Sequence, residues 1–117
     1  MPRGFRGSRI DANQRALVDY FRTRGVSVGI LSNVGYGCPD LILGLVNHRG
    51  ERVNLLVEIK DGKKIPSQQQ LTVAEDKFHS EWLGQVCIIK SKEEAKELID
   101  RVRYDTQQVP QRACDCP

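Results

Sequence analysis

The stretch PDLILGLVNHRGERVNLLVEIK (residues 39–60) contains two apolar runs separated by a polar loop. Nearly all of residues 41–46 are apolar, and in 53–60 every odd-numbered position is apolar. Because side chains alternate between the two faces of a strand, this spacing predicts a β-hairpin in which Glu58 and Lys60 share one face. Asp40 stands at the entry of the first strand, so we expect it to converge with Glu58 at one end of the sheet.

Upstream of the hairpin, residues 11–25 have the pattern of a helix. Asp11 is a capping residue, Gln14 is placed to reach back to it, and Gly25 is a natural stop. Residues 26–30 alternate apolar and small side chains, which predicts a half-buried strand.

Downstream, the pattern predicts a helix over 72–84 with Trp82 in the core, a short buried strand over 86–89 and a helix over 91–103. The predicted order is α-β-β-β-α-β-α. A hairpin followed by a helix and another strand implies a mixed sheet flanked by helices, because the crossover returns the last strand parallel to a neighbour. The fold class is therefore α/β or the related α+β class.

The composition indicates one globular domain. The chain has 117 residues, of which 39% are apolar and 28% charged, and this suffices for a core without disulfides. We predict a domain over 1–105 that begins with a basic arm (1–10), followed by a flexible tail (106–117). The net charge of +3 permits nucleic-acid binding. No apolar run approaches a membrane span or a signal peptide, so a cytoplasmic location is expected.

The cysteines and histidines give no metal signature. Cys38 and Cys87 lie in apolar stretches expected to be strands, where a reduced thiol acts as a small hydrophobe. Cys114 and Cys116 are close together in the tail, but no second pair lies nearby, so we expect a reactive tail and no zinc site. His79 lacks a partner at ligand spacing.

Two carboxylates and a lysine define the candidate site. Asp40 and Glu58 would repel each other strongly unless a cation lay between them, and oxygen ligands select a hard ion such as Mg²⁺ or Mn²⁺. Lys60 adds a positive charge that can orient a water or stabilise a phosphoryl oxygen, which is phosphodiester chemistry. A charged strand face and a Pro-Asp strand entry would explain each half separately; the joint pattern favours the site.

Pro39-Asp40 and Glu58-Ile59-Lys60, separated by a hairpin, resemble the signature of the PD-(D/E)XK nuclease superfamily, which has the restriction-endonuclease-like fold. Within it, the chain is most similar to small phage-type and VRR-NUC-like nucleases, which share a Gly-x-Pro-Asp approach, here residues 37–40. The resemblance covers about residues 11–103 and implies an α-β-β-β-α-β core, here followed by an extra C-terminal helix. It also suits a phage or prophage origin.

The resemblance implies a Mg²⁺-dependent deoxyribonuclease, with Mn²⁺ as a substitute. Asp40, Glu58 and the backbone carbonyl of Ile59 would hold the metal, and Lys60 would be the catalytic lysine. Asp11 is a further candidate ligand, although we expect it first to cap the helix. The second-rank candidates for the site are Gln14, Gln70 and Glu75. The last of these equally well completes a capping box with a threonine three residues earlier.

Basic residues in the arm and beside the site are candidate phosphate contacts: Arg3, Arg6, Arg9, Lys63 and Lys64. A solvated basic terminus explains the three arginines equally well. DNA is the expected partner, including branched or structured DNA, and a homodimer is favoured if both strands are cut. The alternative function is a catalytically idle nucleic-acid-binding module on the same fold.

Overall fold

The computed structural model describes residues 12–104. Four helices and four strands occur within them, in the order α1 (Ala12–Thr23), β1 (Ser27–Ile30), β2 (Leu41–Val46), β3 (Arg52–Ile59), α2 (Pro66–Gln69), α3 (Val73–Glu81), β4 (Val86–Ile89) and α4 (Lys92–Tyr104). Several predicted features lie outside the described residues: the basic arm with Arg3, Arg6 and Arg9, the cap at Asp11, and the tail with Cys114 and Cys116.

The strands form one mixed sheet in the order β1-β2-β3-β4. The pairs β1–β2 and β2–β3 are antiparallel, whereas β3 and β4 are parallel. Antiparallel neighbours need only a loop between them, but a parallel pair needs a crossover, which here contains α2 and α3. The predicted mixed sheet with flanking helices is confirmed, as is the coarse α/β class.

Helix α1 packs on the sheet because its apolar residues recur at helical spacing. Leu17, Val18 and Phe21 are buried in the core, and the helix gives way to a left-handed turn at Gly25, whose φ is +79°. The predicted stop at Gly25 is therefore confirmed. Ala95, Leu98 and Ile99 bury the matching face of α4 in the same core.

The core lies on one face of the sheet. The odd-numbered apolar positions of β2 and β3 are buried against α1 and α4: Leu41, Leu43, Leu45, Leu55, Val57 and Ile59. The even-numbered positions of these strands therefore point to the other face, where Ile42 and Leu56 are only half-buried. That second face carries Glu58.

The turn and the open end of the β2–β3 hairpin lie at opposite ends of its two strands. The turn end is the exposed loop 47–51, where the backbone N–H of His48 donates to the carbonyl of Val102, 3.0 Å away, in the last turn of α4. The open end is where Asp40 enters β2 and Lys60 leaves β3. None of the helices described over 12–104 has the length and apolarity needed to cross a membrane.

The prediction that Trp82 lies in the core, on the apolar face of a helix over 72–84, is wrong. Helix α3 ends at Glu81, and the backbone of Trp82 is extended, with ψ 126°. The Trp82 ring stacks on Phe78 with 5.0 Å between the ring centroids, and the residue is 46% exposed. Ala74 is exposed as well, and the buried residue of this helix is His79. Helix periodicity cannot predict burial for a residue that the helix does not contain.

Two smaller predictions also change. Cys38 lies in the loop between β1 and β2, not in a strand, whereas Cys87 is buried in β4 as predicted. The connection expected after Gly62 contains the short helix α2, which begins at Pro66 because a proline is compatible with the first helical position.

Candidate active site

The register of the hairpin brings the two predicted carboxylates together. Leu41 pairs with Val57, so the preceding residue Asp40 falls beside Glu58 on the same face of the sheet. Oδ2 of Asp40 accepts a hydrogen bond of 2.8 Å from the backbone N–H of Ile59. That bond attaches the Asp40 carboxyl to the end of β3. The structure therefore confirms the predicted convergence of Asp40 and Glu58.

Glu58 is buried in a way that disfavours its charge. Only 3% of the residue is exposed, and its Oε1 accepts no hydrogen bond from any residue in 12–104. Burial, followed by the charges of Asp40 and Glu75, raises the pKa of Glu58 to about 9. Burial also raises the pKa of Asp40, although the hydrogen bond from Ile59 opposes this. The two neighbouring carboxyl groups are therefore not both ionised near neutral pH in this state.

Lys60 supplies the positive charge of the cluster. Its Nζ lies 2.8 Å from Oε1 of Glu75 and 3.8 Å from Oε2 of Glu58. Burial alone would lower the pKa of Lys60, but the hydrogen bond and charge of Glu75 outweigh it, and the pKa is raised. Lys60 therefore stays protonated beside the carboxyl pair.

Glu75 both completes a capping box and lies near the candidate site, the two alternatives that the sequence left open. Its Oε1 accepts from the backbone N–H of Thr72 at 2.9 Å, and its own N–H donates to Oγ1 of Thr72 at 3.1 Å, which completes the capping box. The same Oε1 also accepts from Lys60. Burial raises the pKa of Glu75, but these partners outweigh it and the pKa is lowered. Glu75 is thus the ionised carboxylate that neutralises Lys60.

The loop 31–40 positions Asp40. Its base is closed by a hydrogen bond of 2.7 Å from the N–H of Leu31 to the carbonyl of Asp40. Gly37, with φ +76°, lies so close to the first turn of α3 that a Cβ would overlap the carbonyl of Ala74. The loop is therefore held at both its base and its tip. Burial, then the charges of Glu58 and Asp40, raises the pKa of Cys38 in this loop.

Asn13 is a site neighbour that sequence reasoning missed. Its Nδ2 donates to the backbone carbonyl of Lys60 at 3.0 Å, which joins α1 to the end of β3. No spacing signal marks such a contact, because residues 13 and 60 meet only in the folded chain. The adjacent Gln14 is buried and donates from Nε2 to Oγ of Ser32 at 3.0 Å, so it supports the loop 31–40.

The remaining candidates lie near the end of β3. Lys63 and Lys64 are exposed in a turn closed by Asp61, whose carbonyl accepts from the N–H of Lys64 at 3.0 Å. Gln70 is exposed at the end of α2. Ile59 contributes its backbone N–H to Asp40, as described above.

A cleft of about 770 Å³ opens beside this turn. Its wall includes Asn13, Lys63 and Lys92, but Asp61 and Glu93 also line it, so its charge is mixed. Asp40, Glu58 and Lys60 do not line the cleft, although Asn13 connects its wall to the backbone of Lys60. The cleft adjoins the charged cluster and is not part of it.

Comparisons of the chain with protein families, with curated proteins and with solved structures find no match. The assignment of this cluster therefore depends on its own chemistry. Across residues 12–104, no three His, Cys, Asp or Glu side chains form a group ready to hold a metal ion. Glu75 is occupied by Lys60 and Thr72, which leaves Asp40 and Glu58 as the available carboxyl pair.

Two carboxylates are a donor set that fits Mg²⁺. This ion keeps several of its waters and is commonly bound by only one or two protein carboxylates. The buried Oε1 of Glu58, which accepts no hydrogen bond from the described residues, is an oxygen that a cation would satisfy. The residues at the open end of the hairpin therefore fit a hard divalent cation.

Proposed function

We propose that the chain is a metal-dependent deoxyribonuclease of the PD-(D/E)XK type, with Asp40, Glu58 and Lys60 at its active centre. The observation that supports this proposal is the buried carboxyl group of Glu58, which lies beside the half-buried Asp40 and close to Lys60. A buried acid whose pKa is raised to about 9 lowers the stability of the fold at neutral pH. Perturbed acids of this kind cluster at functional sites.

Asp40 and Glu58 would hold Mg²⁺, with Mn²⁺ as a substitute. When bound, the ion polarises the scissile phosphate and makes a bound water more acidic. The chain's own residues provide positions and charges: the N–H of Ile59 orients the Asp40 carboxyl, and Asn13 holds the Lys60 backbone. The protonated Nζ of Lys60 is placed to stabilise negative charge on a phosphoryl oxygen.

Lys63 and Lys64 are the proposed phosphate contacts within the described residues. Both are exposed in the turn that follows Lys60, so a strand whose scissile phosphate lies at the carboxyl pair would pass close to them. Such contacts add affinity without sequence preference. A homodimer would supply two active centres to substrates that need two cuts.

The test is cleavage of single-stranded, duplex, flapped and four-way-junction DNA by the purified protein in Mg²⁺ and in Mn²⁺. The informative variant is Lys60→Met/Glu75→Gln, because it removes both charges of the pair and leaves a side-chain oxygen to cap α3. The matched control is Lys77→Met/Glu81→Gln, which removes an exposed ion pair of 2.7 Å on the same helix.

We expect the Lys60→Met/Glu75→Gln variant to lose roughly 100- to 1,000-fold in cleavage rate, the usual effect of removing a charge-stabilising group. The control should cut like the wild type. Full activity in the site variant would contradict the role of Lys60. If the wild type binds DNA but leaves every substrate intact with either metal, the chain is the catalytically idle binding module.

A further inference from the structure

Tyr36 has an unusual backbone conformation at the tip of the loop 31–40. The N–H of Cys38 donates to the carbonyl of Gly35 at 3.0 Å, which closes a turn with Tyr36 and Gly37 at its centre. Both central residues have positive φ, +59° and +76°, the pattern of a type I′ turn. Gly, Asn and Asp dominate such positions, and a bulky side chain is an outlier there.

Folding alone does not account for a tyrosine at this position. Tyr36 is 94% exposed, so its ring contributes little to the core. A left-handed backbone is also strained for a bulky residue such as tyrosine, although glycine and asparagine adopt it. Strain that brings no burial points to a role outside folding.

The loop holds Tyr36 beside the first turn of α3, because the next residue, Gly37, packs on that turn. Gly37 packs on Ala74, and the base of the loop is bonded at Asp40, so the tip cannot swing freely. The turn of α3 on which Gly37 packs also carries Glu75, whose side chain accepts from Lys60 of the charged cluster. Val73, which precedes Ala74, is 88% exposed. An aromatic and an aliphatic side chain therefore flank the contact between the loop and α3.

We propose that Tyr36 is a platform on which an unpaired base of the nucleic-acid substrate stacks while its phosphate lies at Asp40 and Glu58. This inference rests on the proposed nuclease function. Aromatic rings accept any base by stacking, so the contact confers no sequence preference. Bases inside an intact duplex are already stacked on one another and cannot use it. The substrate class is therefore nucleic acid with unpaired nucleotides at the position of cleavage.

The experiment measures binding without cleavage. A single-stranded oligonucleotide that carries a fluorescent adenine analogue is titrated with the full chain in the absence of divalent metal. The variant is Tyr36→Asn, because asparagine suits the left-handed backbone. Tyr36→Phe keeps the ring, and Tyr104→Asn removes another exposed tyrosine, which lies at the end of α4 beside the turn end of the hairpin. The same sequence as a blunt duplex is the comparison ligand.

We expect Tyr36→Asn to weaken single-strand binding about 10-fold or more and to abolish the fluorescence change of stacking, with Tyr36→Phe and Tyr104→Asn within about twofold of wild type. Duplex binding should be unchanged in all three variants. The platform is excluded if Tyr36→Asn binds the single strand normally, if it weakens duplex binding equally, or if no single-strand binding occurs in the wild type.

A second measurement tests the alternative that the exposed Tyr36 contacts another copy of the chain. If sedimentation shows that Tyr36→Asn converts a dimer into a monomer, Tyr36 is a self-contact and the proposal is wrong. Failure of the nuclease function looks different: Tyr36-dependent binding would persist in a wild type that cuts nothing. If Tyr36→Asn instead cuts single strands at the wild-type rate, the platform is rejected but the nuclease function is not.

Discussion

The two ends of the β2–β3 hairpin differ in the solvent exposure and the hydrogen bonding of their polar side chains. At the turn end, Oδ1 of Asn47 accepts from the N–H groups of Arg49 and Glu51, and its Nδ2 donates to Oε1 of Glu51, all at 2.9 Å and exposed to solvent. At the open end, Asp40 is half-buried and Glu58 is buried, and one oxygen of Glu58 accepts no hydrogen bond within 12–104.

The difference separates the needs of folding from those of function. A hairpin requires only a turn whose polar groups are satisfied, which the turn end provides. The buried carboxyl group of Glu58 at the other end lowers stability, and departures of this kind are expected where a protein binds or reacts. This contrast supports the proposal that the open end of the hairpin is the functional end of the molecule.

Two glycines with positive φ allow the loops at the two ends to be compared directly. Gly37→Ala should lower the free energy of unfolding by about 2–4 kcal/mol, because a strained backbone and a clash with α3 add together. Gly50→Ala in the turn should cost only about 1 kcal/mol, because φ is +81° but nothing lies within 4 Å of the new Cβ. Urea denaturation measures both values. Equal costs would show that the loop tip is not seated on α3.

Local patterns predicted much of this architecture. The period-two alternation in residues 53–60 correctly placed Glu58 and Lys60 on one strand face, and the hairpin pattern brought Asp40 to the same end of the sheet. The parallel return of β4 followed from the crossover. These features depend on residues that are near in sequence or constrained by chain connectivity.

The missed features depend on contacts between distant segments. Nothing in the sequence shows which turn of α3 faces Lys60, so Glu75 could be named only as a second-rank site residue or a helix cap, and its contact with Lys60 was not predicted. The contact from Asn13 to Lys60 spans 47 positions. Trp82 was misplaced because the end of α3 depends on its packing, which periodicity does not report.

Substitution of one glutamate at each end of the hairpin compares how the two ends affect the pH dependence of stability. The pKa of Glu58 rises to about 9 in the folded state from its ordinary value of 4.5, so the folded chain holds a proton that the unfolded chain releases across this interval. The free energy of unfolding should therefore fall as pH rises between these values. Glu58→Gln should remove that fall, which amounts to about 1.4 kcal/mol per pH unit, and should therefore be several kcal/mol more stable than the wild type at pH 8.

Glu51→Gln at the turn end is the matched control, and its stability should follow the wild type across the same pH range. Thermal melts at a series of pH values, without divalent metal, measure both variants. A wild-type stability that rises from pH 5 to pH 8 in parallel with Glu58→Gln would show that Glu58 is ionised in the folded chain.

The claim that the open end holds a divalent cation is tested most directly by calorimetric titration of the full chain with Mn²⁺ at neutral pH. We predict saturable heat in the wild type, accompanied by proton release because the ion binds ionised carboxylates. Asp40→Asn, which can still accept from the N–H of Ile59, should lose this heat, whereas Asp76→Asn on the exposed face of α3 should keep it. No saturable heat in the wild type, or equal heat in Asp40→Asn, would contradict the account.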